Sequence, residues 1–598
     1  MKFSRYLAAG VVIISTWLAC TNTTPSTTAN DSQELDSHVH QWLTRRLDSM
    51  EAGATRFQSL ALRSASEEEL RIAFKDCRRL FKQLEWFSVY YAPATSRQLN
   101  GPPLPEIEVE ENKMSDPAGL QVMEELLFPY DTSASAALLK EAKGLLSSLI
   151  PLRHTIENTR FDTAHIFDAC KMEVFRVEAL GISGFDTPLC GWGIPETGVA
   201  LSAVKEMMAL IAAPDSLLKR LDQVIAITEQ PTSAGEFDYA HFMSQQLNPL
   251  SAAMTDWFYS AGLQPIAYPQ ALKNTARTMF DSSAFNTAFF VHNADAVPTP
   301  EKVALGKMLF YENRLAGNGQ RSCSSCHMPE KALTDGIAKN SSLDGSATVL
   351  RNTPTLLYAG LQQAQFYDMR SPTLENQILD VLHNEAEMQS SPEKVATWLN
   401  REYALKSQFK AAFPDIQDSI PPRHVTRAIA AYIRELHPFR SNLDSYMRGD
   451  SNALTGQQKR GLNLFMGKAR CATCHFMPLF NGTAAPSFAT TESEVLGVLA
   501  RPGVPKLDPD MGRYTHTQLE GLQYAFKTPT IRNIAKTAPY MHNGAYKTLD
   551  EVMEFYNSGG AAGYGIDLPG QTLSADPLHL SEEEKKSIIA FMESLTDH

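Results

Sequence analysis

Two short motifs constrain this chain more than anything else in it: Cys323-Ser324-Ser325-Cys326-His327 and Cys471-Ala472-Thr473-Cys474-His475. Each sets two thiols one helical turn apart, with an imidazole directly after the second. Such a group forms two thioethers to the vinyl groups of a haem and ligates its iron from one side. A zinc ribbon also pairs CxxC motifs, but roughly 15–20 residues apart, and Cys326 and Cys471 are far more widely separated. A redox CxxC needs no following histidine, and both motifs have one. They predict two covalently bound c-type haems, one on Cys323, Cys326 and His327, the other on Cys471, Cys474 and His475.

The N-terminus places this chemistry outside the cytoplasm. Lys2 and Arg5 precede an apolar run from Leu7 to Leu18 that is too short to span a bilayer and reads as an export signal. The run ends at Leu18-Ala19-Cys20 and resembles a bacterial lipoprotein signal over residues 1–20, followed by a Ser/Thr/Asn-rich flexible tether over 21–33. The resemblance implies a periplasmic or cell-envelope protein anchored to a membrane by lipidated Cys20. Trp17 stands where that signal usually has leucine, which leaves cleavage to a free protein open. Of the eight cysteines, Cys77, Cys170 and Cys190 belong to neither signal nor haem motif. An oxidising compartment allows two of them to pair, and Cys170 and Cys190 are nearest in sequence.

A formal charge of −13 without a basic stripe argues against nucleic acid and fits a basic redox partner better. With 598 residues, 43% of them hydrophobic, the chain has enough apolar surface for several cores. The pattern is all-α. Residues 34–280 read as a helical bundle, with Leu60, Leu62, Leu70, Ile72, Phe74, Leu80, Phe81 and Leu84 at helix-like spacings. Turn-rich breaks fall at Gly101–Pro105 and Gly191–Pro195. Residues 285–445 and 446–598 then read as two cytochrome c-type domains. An apolar helix precedes each motif, with Leu305, Met308, Leu309 and Phe310 in one and Leu462, Leu464 and Phe465 in the other. Lys331–Thr348 reads as loop, and Ser581 with Glu584 as a capping box opening the last helix.

From Phe285 onward the chain resembles the bacterial di-haem cytochrome c peroxidase family, including its MauG branch. The resemblance rests on Leu305-Gly306-Lys307, Arg314-Leu315, Arg351-Asn352-Thr353-Pro354-Thr355, Glu387-Met388, Pro529-Thr530-Ile531-Arg532-Asn533 and Pro539-Tyr540-Met541-His542-Asn543-Gly544. It implies that His327 is the proximal ligand of a peroxidatic haem and His475 that of an electron-transfer haem. Gln377 and Glu387 match the family's distal-pocket pair, and a carboxylate there suits moving a proton between the oxygens of bound peroxide. Asn352, with the carbonyls of Thr537 and Pro539, matches a family calcium site, and calcium takes such hard oxygen donors.

Three departures matter. The sixth ligand of the second haem is usually a methionine; the matching residue is Tyr556, as in the MauG branch, which implies a low-potential haem. Met541 and Met553 lie nearby, with core packing as their ordinary role. The tryptophan that commonly lies between the haems is replaced by Tyr367, in Phe366-Tyr367-Asp368-Met369-Arg370, where Met369 stands in place of a glycine. No histidine occurs between Met328 and Asn352 to block the first iron, which predicts an open site; His383 reads as an ordinary helix or surface residue.

In the bundle, Gly119-Leu120-Gln121-Val122-Met123-Glu124 resembles the GxHxxE motif of imelysin-like helical proteins, with Gln121 in place of the histidine. Glutamine is a poor transition-metal ligand, so a docking or spacer role is expected. The function implied is reduction of hydrogen peroxide with electrons from a small cytochrome c, a cupredoxin or a quinol-linked donor, in a chain that a homodimer would suit. The rival readings are a MauG-like enzyme oxidising side chains of a partner protein, and a non-enzymatic electron-transfer or iron-handling haem protein.

Overall fold

The computed structural model describes residues 29–103, 106–108, 113–266 and 270–598. The signal with Cys20, the tether up to residue 28, and Leu104 and Pro105 lie outside the described residues. The chain is largely helical, with two short two-stranded antiparallel sheets, Glu106–Glu108 with Lys113–Ser115 and Ser493–Val495 with Ala525–Lys527. Among the described residues no helix is long and apolar enough to cross a membrane.

The first helical unit is built from Ala29–Leu62, Glu67–Tyr91, Ser135–Asn158, Thr163–Arg176, Gly193–Leu210, Asp215–Thr228 and Asn248–Ser260. Ser66 opens the second of these with a capping box, its hydroxyl accepting from Glu69 N while the Glu69 carboxylate accepts from Ser66 N. Leu70, Phe74, Phe81 and Leu84 then face inward. Leu62 and Ile72, which share the apolar pattern, point to solvent. Beyond Ser260 the helices give way to short turns until Pro300.

This unit is packed directly onto the second motif. Phe185 meets Phe476, the neighbour of His475, edge-on at 5.2 Å. Ala240 N donates to Asn463 Oδ1 at 2.8 Å, and one continuous apolar core includes both Phe167 and Phe480.

The two motif-bearing segments are built alike. Thr299 caps Pro300–Phe310, and Thr455 with Gln458 forms the capping box of Gly456–Met466. Each helix crosses a later one, Arg423–Arg434 and Glu582–Glu593 respectively, at a glycine. A Cβ on Gly306 would overlap the Ala428 carbonyl oxygen, and one on Gly461 the Ser587 carbonyl oxygen. One turn beyond each glycine an aromatic pair closes the crossing: Phe310 on Tyr432 at 5.3 Å, Phe465 on Phe591 at 5.1 Å. Ser581 and Glu584 form the expected capping box.

Charged groups knit the segments together. The fully buried Arg532 donates to both oxygens of Asp444, at 2.7 and 3.0 Å, and to Pro478 O. The pairing that the sequence left open among Cys77, Cys170 and Cys190 is not formed: all three are free thiols. Cys170 is fully buried in the core, whereas Cys190 lies in a loop where its backbone N donates to Glu124 Oε1 at 2.7 Å.

Candidate haem sites and the seam between them

Both CxxCH motifs fold as a single 3-10 turn, Cys323–Ser325 and Cys471–Thr473, with the histidine amide bonded back to the first cysteine carbonyl at 2.9 and 3.0 Å. This brings two free thiols and one imidazole to the same side of a tight turn. The ring Nδ1 of His327 meets Leu333 O at 2.9 Å, and that of His475 meets Phe480 O at 3.1 Å. A carbonyl accepts only, so each Nδ1 carries the proton and each Nε2 is left with its lone pair for iron. Burial lowers the pKa of both rings, keeping them neutral as ligands must be. The donor set therefore fits a c-type haem at both places.

Around the first motif, burial pushes the Cys326 thiol up to about 11; the Arg321 charge opposes this, and Asp335 and Glu387 add to it. Glu387 is tied to the chain entering the first motif through its backbone carbonyl, which accepts from Arg321 Nη1 at 3.2 Å. It sits in the turn after helix Leu374–His383, and Asn384 Nδ2 donates to its Oε1 at 2.7 Å. Burial raises the Glu387 pKa, only partly offset by Arg370, Asn384 and Arg321. Gln377 lies half-buried on that helix, one turn past the capping Thr373, and His383 is exposed at its end.

Tyr367 lies in the seam between the two motif segments. Its carbonyl accepts from Lys527 N at 2.7 Å, from the strand Ala525–Lys527 of the second segment. Burial raises its phenol pKa, against the Arg351 charge. Met369 holds φ +59° and Phe366 φ +64°, so the backbone keeps a left-handed turn that glycine would adopt freely. Asp368, 3% exposed, gathers Arg351 at 2.6 Å, Arg370 at 2.9 Å and His516 at 3.0 Å, and Arg351 continues to Asp510. Phe526 stacks on the His542 ring at 3.8 Å and faces the Arg351 guanidinium at 5.4 Å.

At the second motif, burial raises the Tyr556 pKa, with the charges of Cys474, Cys471 and Glu494 next in size. Tyr556 lies on helix Leu549–Asn557, its ring edge-on to Phe555 at 5.8 Å. Glu494, 9% exposed, is a buried carboxyl beside Cys474 that sequence reasoning missed; its pKa is raised by burial. A single glutamate in a polar stretch gives no signal of its own.

Asn352 donates its Nδ2 to Ile337 O at 2.9 Å, which turns Oδ1 away from that carbonyl, and its N–H binds His542 O. Among the described residues no group of three or more His, Cys, Asp or Glu side chains could hold a metal ion. A cation at Asn352, Thr537 and Pro539 would depend on amide and carbonyl oxygens and water.

In the N-terminal unit the look-alike motif is spent internally. Gln121 Nε2 donates to Asn100 O, and Glu124 Oε1 accepts from Leu189 N and Cys190 N. Arg78 pairs with Glu196, while Lys82 and Arg176 pair with Asp186.

Known relatives match the part of the chain that carries both motifs. The family model for di-haem cytochrome c peroxidase matches residues 300–452. The methylamine utilization protein MauG of Methylorubrum extorquens is 32% identical over 297 residues, covering 50% of this chain and 78% of that protein. The chain belongs to the di-haem cytochrome c peroxidase family. The cytochrome-c peroxidase IdrP1 of Denitromonas iodatirespirans is 33% identical over 332 residues, covering 51% of this chain and 83% of its own length. The cytochrome c551 peroxidase of Pseudomonas aeruginosa is 28% identical over 366 residues, 59% of this chain and 93% of its own. Membership of the di-haem cytochrome c peroxidase family makes the chain an oxidoreductase acting on peroxide and implies two c-type haems.

Proposed function

We propose that the chain reduces hydrogen peroxide to water at an iron ligated by His327, using electrons delivered through the second haem. The bound haems supply the redox chemistry. Glu387 accepts the proton from the near oxygen of peroxide and delivers it to the far one, while Gln377 orients the ligand. Asn384 holds the Glu387 carboxylate for this transfer. Tyr367 would lie on the route between the haems, and Tyr556 would join His475 in holding the second iron. A ferric cation in contact is what would draw the proton from so buried a phenol.

The architecture in this reading is an N-terminal helical bundle over 34–280 followed by two cytochrome c-type domains, 285–445 and 446–598, with calcium on Asn352, Thr537 and Pro539 between them. The bundle serves as a spacer or docking scaffold. The chain works in the periplasm or cell envelope, anchored through lipidated Cys20, and takes electrons from a small cytochrome c, a cupredoxin or a quinol-linked donor.

The observation that carries the reading is Glu387, a half-buried carboxyl with raised pKa beside the first haem motif. Steady-state peroxide turnover with a small donor cytochrome tests it, and vigorous turnover that collapses in Glu387→Gln is expected. Tyr556 beside Cys471 and Cys474 supports a second reading, MauG-like oxidation of a partner protein's side chains. Negligible turnover with every donor cytochrome would favour that reading over peroxidase action.

A further inference from the structure

Arg321, two residues before the first haem cysteine, spends its guanidinium on carbonyl oxygens of two separate segments. Nη1 donates to Ala386 O at 3.3 Å and Glu387 O at 3.2 Å; Nη2 donates to Ser341 O at 3.0 Å and Ser342 O at 3.3 Å. The planar fork suits this, because its donors point two ways from one rigid group. The segments it joins are the turn that carries Glu387 and the loop that follows the first motif.

Much of that loop's bonding is internal, while Asn340 Nδ2 also donates to Asp335 Oδ2 at 2.9 Å and Leu343 packs against the neighbouring core. Ser342 N donates to Ala347 O and Val349 N to Asn340 O, both at 2.8 Å, and Asp344 accepts from Ser342 Oγ at 2.6 Å. Its one backbone bond to the Glu387 turn is Leu343 N to Ala386 O at 2.8 Å. Gly317 N fixes the far side of the turn through Met388 O at 2.7 Å. Arg321 thus supplies four hydrogen bonds that join the loop, the turn and the residues leading into the haem motif, beside the two backbone bonds from Leu343 and Gly317.

The geometry points to Arg321 as a latch: a positioning residue that clamps the loop 340–349 to the Glu387 turn, so that Glu387 stays in place whatever the oxidation state of the second haem. This rests on the reading of Glu387 as the proton carrier above an open first iron. It assigns to one side chain what the missing loop histidine cannot do. The loop carries no histidine, and Arg321 holds it to the Glu387 turn. The charge of Arg321 also acts on the Glu387 carboxyl.

The test uses the full-length, fully oxidised holoprotein with Arg321→Met and Arg321→Lys. Backbone hydrogen exchange at Ser342, Leu343 and Val349 is expected to speed at least tenfold in Arg321→Met, with helix Arg423–Arg434 unchanged. The rate with one equivalent of peroxide is expected to fall at least tenfold, and lysine to recover part of both. Unchanged exchange in the loop overturns the latch, and faster exchange with an unchanged peroxide rate overturns its role in positioning Glu387. If the wild-type oxidised protein is itself inert to peroxide, the open-iron reading has failed, and the exchange comparison still decides whether Arg321 clamps the loop. Should Arg321→Met fail to attach haem, Arg321→Lys, which keeps the charge but loses the fork, carries the same comparison.

Discussion

Arg351 Nη1 lies 2.6 Å from Asp368 Oδ2, and the other side of the same guanidinium holds Asp510 at 2.6 and 2.9 Å. One arginine therefore ties the Tyr367 segment to the loop that carries Asp508 and Asp510. Breaking a buried pair by removing one partner leaves the other uncompensated, which typically costs about 3–5 kcal/mol. Asp368→Asn is expected to destabilise toward the low end of that range, since the amide still accepts a hydrogen bond; denaturant unfolding of the holoprotein checks it.

The same residue sets an acid limit. Burial raises the Asp368 pKa, but Arg351 and Arg370 outweigh it and hold the group below the ordinary aspartate value. A folded pKa below the unfolded one stabilises above about pH 4 and loses that contribution as pH falls through the lower folded value. Unfolding measured from pH 7 down to pH 2 should show wild type losing stability below about pH 4, while Asp368→Asn lacks that component.

Glu387 runs the other way. Its pKa is raised by burial, so its carboxylate is lost to protonation at a higher pH than a solvated glutamate would be. The peroxide rate should fall as pH drops through that raised value. In Glu387→Gln it should drop by about 10²–10⁴-fold, the usual yield of a positioned acid–base group, with haem content unchanged. A variant that keeps the wild-type rate would remove Glu387 from the mechanism.

Tyr556 is the proposed second ligand of the second haem's iron. Replacing a phenolate with a thioether favours the ferrous state, so Tyr556→Met should raise that haem's potential by some part of the ~0.8 V span that axial ligands cover. Redox titration followed by absorption reads the shift directly. An unchanged potential and spectrum would mean that Tyr556 does not touch the iron.

Met369 keeps a left-handed backbone at φ +59°. A residue with a Cβ carries a penalty of roughly 1–2 kcal/mol there. Met369→Gly should be stabilising by about 1 kcal/mol or less once the unfolded-state entropy of glycine is counted, seen as a small rise in Tm.

The haem-binding core was legible in the sequence because its chemistry is local. Two thiols and an imidazole within five residues form their turn wherever the rest of the chain goes. Gln377, Glu387, Tyr367 and Tyr556 were named through the family resemblance. Arg321, Asn384 and Glu494 were not, because each acts on groups distant in sequence or through a single side chain with no spacing to betray it. The sequence left cysteine pairing open for a related reason. Nearness along the chain said nothing of Cys170 pointing into the helical core while Cys190 stays in a loop. In the first helical unit, the apolar period identified the helices but could not tell that Leu62 and Ile72 fall on the wet side.

The most direct test of the central claim is rapid mixing of the fully oxidised holoprotein with one equivalent of hydrogen peroxide and no reductant, followed by absorption and EPR. An exchangeable high-spin ferric site at His327 should react at once. A protein that stays inert until one haem has been reduced would contradict the open first iron and require a sixth ligand that the loop 328–352 does not offer as histidine.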